Sequence, residues 1–303
     1  DAGFDAGFDA GKCNVIYEVS HTTQYDYDAP VDTSFAEVRQ MPDDVDGQAC
    51  VRRAILTEPA PEYQREHRDY FGNLTATVAI REPHTRLVVS SSSLIDTSRR
   101  PVDFGVDGRR PWVSYTAAQA DTDDLDMVEF SLDSPLVKRS QQLADYARPS
   151  FDGDTSLADS VEAFCARVHA DFEFDATATE VDTHLADVLQ MRKGVCQDFA
   201  HVMIGSLRSI GLPACYVSGY LETEPPPGQP RLTGVDRTHA WIGVYLGGGR
   251  WIGIDPTNNQ FAGPKYVTAA RGRDYSDVPP LKGVIFTDAE ESRLTVSVDV
   301  AAQ

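Results

Sequence analysis

Three short islands of the chain hold residues whose types could do chemistry: Arg192-Lys193-Gly194-Val195-Cys196-Gln197-Asp198-Phe199-Ala200-His201, Thr238-His239-Ala240-Trp241 and Gly253-Ile254-Asp255-Pro256-Thr257. In the order Cys, His, Asp they offer a nucleophile, a base and an orienting carboxylate. That is the minimum equipment for acyl transfer through a thioester. A lone cysteine is more often a buried core residue than a nucleophile, and a lone histidine is usually structural, so the settings of the three carry the reading.

Downstream of Cys196, Phe199, Met203, Leu207 and Ile210 recur at helical spacing, and Gly211-Leu212-Pro213 supplies a stop, which sets Cys196 at or just before a helix N-terminus. Gly194 lets the chain turn sharply there. A helix N-terminus favours a thiolate, and its free N–H groups can stabilise an oxyanion. The other two islands read as a β-hairpin, 239–246 and 250–255, joined by Gly247-Gly248-Gly249. If Leu246 faces Arg250, Trp241 faces Asp255, and Asp255 lies diagonally from His239 on one sheet face. An odd shift of register would separate the two residues.

The run Gly194-Val-Cys-Gln-Asp-Phe-Ala-His201, with Leu207-Arg-Ser-Ile-Gly-Leu-Pro-Ala214, Tyr216-Val-Ser-Gly-Tyr-Leu221, Thr238-His-Ala-Trp241 and Asp255-Pro-Thr-Asn-Asn259, resembles the bacterial transglutaminase-like proteins of the cysteine-protease type. Upstream, Tyr17-Glu-Val-Ser-His-Thr-Thr-Gln-Tyr-Asp-Tyr27, Pro30-Val31 and Asp69-Tyr-Phe-Gly-Asn73 resemble the β-rich region that precedes the catalytic domain in that family. The resemblance implies an α+β fold: a papain-like, transglutaminase-like catalytic domain preceded by a β-sandwich-like domain, with Cys196, His239 and Asp255 as the catalytic triad. It leaves the reaction open, since the superfamily includes transglutaminases, peptidases, amidases and inactive members.

Three function classes follow: an amide or peptide hydrolase, an acyltransferase that passes the acyl group to an amine, and a non-catalytic binding module using the same cleft. The intact triad argues against the third. Classical transglutaminases are expected to use a tryptophan well upstream of the nucleophile to hold the oxyanion; the tryptophans here are Trp112, Trp241 and Trp251, none shortly upstream of Cys196, which leans away from a classical crosslinker. The expected partners are a peptide or amide substrate and, in the second class, an amine; no cofactor or metal is implied.

Gln197, Asp198 and Trp241 are further candidates for substrate binding or the oxyanion. Asp198 either shapes the site or complements the helix dipole, and Trp241 either lines the substrate channel or fills the sheet face. His201, five residues beyond Cys196, reads as a packed or solvated histidine. The loop Glu222–Arg231, with four prolines, is either a wall of the acyl-donor site or a rigid connection. The run Asp121-Thr-Asp-Asp-Leu-Asp126 lacks the central Gly and terminal Glu of an EF-hand loop.

At 303 residues and 41% hydrophobic content the chain is long enough for two domains. The expected division is a tag-like or flexible leader over 1–12, a β-rich domain and connection over 13–133, and a catalytic domain over 134–303. A formal charge of −20 repels nucleic acid and anionic membranes; it reads as solubility ahead of selection for cationic substrates. Five cysteines without paired spacing imply no disulfide framework. With no signal-peptide pattern or long apolar run, the default expectation is a cytoplasmic protein.

Strands are expected over 15–27, 51–57, 75–80 and 85–94, an irregular connection over 96–133, and helices from Pro135 to Tyr146, Leu157 to Ala170 and Leu185 to Met191. Val284-Ile-Phe286 and Leu294–Val300 read as strands whose sheet is open.

Overall fold

The computed structural model describes residues 15–99, 103–116, 124–222 and 238–303. The leader, the proline-rich loop from residue 223 onward and the first three residues of the Asp121–Asp126 run lie outside them.

The β-rich part is built around one long strand, β1 (Ile16–Val38), whose alternation of aromatic, β-branched and polar residues suits a half-buried ribbon. Its register breaks between Asp26 and Val31 and again between Val31 and Thr33. The first half of β1 pairs with β5 (His84–Asp96), which pairs with β2 (Ala49–Glu58); the second half pairs with β4 (Leu74–Ile80), which pairs with β3 (Tyr63–Arg68). Ile55 of β2, Leu87 and Val89 of β5 and Ala76, Val78 and Ile80 of β4 meet in one core. A single hydrogen-bonded sheet of seven strands carries this core. Strand β3 goes unpredicted because Tyr-Gln-Arg-Glu-His-Arg is a mostly exposed edge without apolar alternation.

The second unit holds a five-stranded antiparallel sheet, in the order β11 (Gln260–Phe261), β10 (Arg250–Asp255), β9 (Thr238–Gly247), β8 (Ala214–Leu221) and β12 (Tyr266–Gly272). Helix α5 (Cys196–Ser209) buries Phe199, Ala200, Met203, Ile204 and Leu207 in the core shared with Ala240, Ile242 and Val244 of β9. α3 (Leu157–Asp171) and α4 (Leu185–Met191) flank it. Both match the sequence reading closely, as does the end of α5 ahead of Gly211, whose φ of +90° suits glycine. The helix expected from Pro135 starts later, as α2 (Gln141–Ala147), because Ser140 accepts the Leu143 N–H as its cap and Asp274 Oδ2 accepts the Leu136 N–H at 2.7 Å, holding 136–139 outside the helix. The segment 96–133 is more than a connection: Phe104 and Tyr115 join the core beneath α5, and α1 (Leu125–Glu129) leads to the buried Phe130.

The last strands settle an open point. β13 (Leu281–Thr287) and β14 (Ser292–Ala302) both pair with β1, so the end of the expected 134–303 domain is built into the first sheet. Local pattern alone cannot choose a sheet for a strand; here Val298 and Val300 of β14 settle the matter by packing with Tyr17, Val19 and Ile95. They do so against Tyr220, Val267 and Ala269 of the second sheet. A buried polar seam completes this junction. His21 Nδ1 meets the Tyr220 hydroxyl at 2.9 Å, and that hydroxyl donates to the Gln40 carbonyl at 3.0 Å. Among the described residues no helix is long and apolar enough to cross a membrane.

Candidate active site

Cys196 is the first residue of α5, and two devices fix the chain that delivers it. β7 (Lys193–Gly194) pairs in parallel with β6 (Glu173–Phe174). Asp198 Oδ2 then folds back to accept the Val195 N–H at 2.8 Å and the Thr179 hydroxyl at 2.7 Å. Asp198 is 3% exposed; burial raises its carboxyl above the ordinary range while these two donors oppose the rise. A Cβ at position 194 would lie 2.3 Å from Asp198 Oδ2, so glycine is required for this closure. Asp198 therefore braces the turn before the cysteine through Oδ2.

His239 and Asp255 sit near the start of β9 and at the end of β10. The turn differs by one residue from expectation: Arg250 pairs with Gly247, and Trp251 then pairs with Tyr245, leaving Leu246 as a bulge. The bulge restores the register in which Ile254 opposes Ile242, and Asp255 reaches His239. Gly248 and Gly249, at φ +62° and +75°, make the tight reversal.

Asp255 Oδ2 accepts from His239 Nε2 at 2.7 Å, from Asn258 Nδ2 at 2.7 Å and from the Tyr266 hydroxyl at 2.6 Å, while Oδ1 accepts the backbone N–H groups of Thr257 at 2.8 Å and Asn258 at 3.3 Å. The carboxylate is 0% exposed. Burial opposes its charge, but His239 and the donors from Tyr266 and Asn258 hold it below the ordinary carboxylate range. On the ring of His239 burial works against the cation, and the charge and hydrogen bond of Asp255, with a hydrogen bond to Cys196, outweigh it and push the imidazole up to about 10. With Nε2 engaged by Asp255, Nδ1 is the nitrogen left to exchange a proton with the Cys196 sulfur.

Cys196, His239, Gln197, Tyr216, Ser218, Asn258 and Tyr275 line one cleft of about 870 Å³, and its far wall includes Val296 of β14. Gln197 borders the cleft, but its Nε2 donates to the Val181 carbonyl at 2.9 Å. Trp241 is 1% exposed; its ring packs edge-on against Tyr266 at 5.2 Å and tilts toward His239 at 6.2 Å, bracing the histidine from the sheet face without lining the cleft. His201 is packed as expected, against Tyr216 at 5.1 Å. Tyr266, Thr179 and Tyr216 are neighbours of the candidate site that sequence reasoning did not pick out. Asn258 stands in the quoted Asp255–Asn259 run; Tyr266 lies on another strand and gives no local signal. Cys165, buried beneath the site, faces the Asp255 carbonyl at 3.5 Å, and burial raises its thiol well above the ordinary range. The described cysteines, Cys50, Cys165, Cys196 and Cys215, are all free.

Comparison with known proteins agrees with this architecture. Residues 17–96 match the bacterial transglutaminase-like N-terminal region, and residues 144–256 match the transglutaminase-like superfamily. An uncharacterized protein of Mycobacterium tuberculosis is 39% identical over 94% of this chain and 92% of its own length, and one of Mycobacterium leprae is 33% identical over 93% and 97%. The crystal structure of a candidate cysteine protease from Cytophaga hutchinsonii superposes with a TM-score of 0.72 at 20% identity, covering 96% of this chain and 91% of that one. A matched core model, a matched N-terminal region and full-length relatives together show that this chain belongs to the bacterial transglutaminase-like family.

Proposed function

We propose that the chain is a cysteine-dependent hydrolase of amide or peptide bonds that works through a thioester on Cys196. The observation that carries this reading is the 2.7 Å hydrogen bond between His239 and the fully buried carboxylate of Asp255, beside a cysteine at the first turn of a helix that opens on a cleft. Asp255 fixes the ring so that Nδ1 takes the thiol proton. The thiolate attacks the carbonyl carbon, and the Cys196 N–H, which has no intrahelical acceptor at that position, donates to the developing oxyanion. The imidazolium returns its proton to the leaving nitrogen as the C–N bond breaks. Water, activated by the freed imidazole, then releases the acid; an amine arriving instead would make the enzyme an acyltransferase.

The test is brief treatment with limiting iodoacetamide near neutral pH, followed by intact mass and peptide mapping. Labelling confined to Cys196 and lost in His239→Ala is the expected result. Equal labelling of the cysteines, or labelling that survives His239→Ala, would remove the activated pair and favour a binding module.

A further inference from the structure

An oxyanion on Cys196 needs a second donor beside the backbone N–H, and the candidates picked from sequence do not supply it. The Gln197 amide is engaged by Val181, the Asp198 carboxylate is an acceptor bound to Val195 and Thr179, and Trp241 lies outside the cleft wall. Tyr216 remains. It stands on β8 in the cleft wall that also holds Cys196 and His239, and its hydroxyl has no hydrogen-bond partner among the described residues. That hydroxyl is therefore free to hydrogen-bond a ligand in the cleft. Here the residue is 2% exposed.

We propose that the Tyr216 hydroxyl is the second oxyanion donor, a catalytic residue of the reaction read above, on which this inference rests. Burial first, and then the negative charge of Cys196, raise its phenol well above the ordinary range, so it keeps its proton and remains a donor. The ring is clamped. His201 packs on it at 5.1 Å, Tyr275 meets it edge-on at 6.2 Å, and His201 Nε2 accepts the Tyr275 N–H at 3.2 Å, which ties the two supports together. In the step itself the sulfur–carbon bond forms, the carbonyl π pair moves to oxygen, and Tyr216 donates a hydrogen bond without transferring its proton.

Two reactions of the same sulfur separate this role from a structural one. Acylation by p-nitrophenyl acetate passes through a tetrahedral oxyanion, whereas alkylation by iodoacetamide is a displacement at a saturated carbon and forms none. Tyr216→Phe is expected to slow acylation of Cys196 about 10- to 100-fold and leave its alkylation within about twofold. Because the hydroxyl has no partner, the variant should melt no lower than the parent. A parallel fall in both reactions, unchanged acylation, or a melting temperature lowered by more than about 4 °C would overturn the proposal. Failure of the parent protein to be acylated on Cys196 would instead sink the thioester reading beneath it.

Discussion

Asp255→Asn removes one charge and few atoms, and the structure dictates how the site must respond. Oδ1 of Asp255 faces two backbone N–H groups that cannot turn away, so the amide oxygen of the asparagine takes that side. Its NH₂ then confronts the Tyr266 hydroxyl, the Asn258 amide and His239 Nε2, all donors toward Oδ2 in the parent. The histidine can accept from that NH₂ only as the tautomer protonated on Nδ1, which cannot take a proton from Cys196. A ring at about 10, against the ordinary 6.5, holds its proton about 3000-fold more tightly, or about 5 kcal/mol. Cys196 contributes part of that, so the variant should lose about 10²- to 10³-fold in the iodoacetamide rate of Cys196 at pH 7. It should also lose about 1–3 kcal/mol of stability from mismatched buried donors. The rate is read by intact mass over time and the stability by urea titration. A variant alkylated at the parental rate would refute the role given to Asp255.

Cys196→Ala should abolish turnover of amide probes and keep the fold, measured as a melting temperature within about 3 °C of the parent, because the cysteine sits at the cleft surface. Gly194→Ala should destabilise by about 0.5–2 kcal/mol, the worth of a helix cap, and slow Cys196 labelling, since the added methyl displaces Asp198. Stability should also fall between pH 6.5 and 4. Burial lowers His21 to about 4, and burial, aided by Arg208 and opposed by Asp274, takes His201 there too. The unfolded chain therefore binds protons in that window that the folded one excludes, at about 3 kcal/mol for each ring. His239 acts oppositely: its raised value gives stability that is full below 6.5 and lost as pH rises toward 10. Urea midpoints that stay flat from pH 6.5 to 4 would refute the neutral burial of His21 and His201.

The candidate site was legible where its residues lie in local patterns. Cys196 announces itself by the apolar spacing of α5, and His239 and Asp255 by a hairpin whose parity is set by three glycines. The bulge at Leu246 was not readable, because a two-residue reversal and a wider glycine loop leave the same alternation on either side. Two errors cancelled, and the register came out as expected. Tyr266 and Tyr216 escaped because each reaches the site across the sheet, from strands whose order the sequence does not state. The same limit hid the pairing of β13 and β14 with β1: their apolar residues mark strands, while the choice of partner rests on Val298 and Val300 meeting Tyr17 and Tyr220.

Trapping the acyl-enzyme tests the chemistry most directly. The protein is mixed with p-nitrophenyl acetate, quenched in acid, and mapped by peptide mass. The reading predicts one acetyl group on Cys196, absent in Cys196→Ala and discharged by hydroxylamine at neutral pH. Acetylation elsewhere, or none while Cys196 still reacts with iodoacetamide, would contradict it.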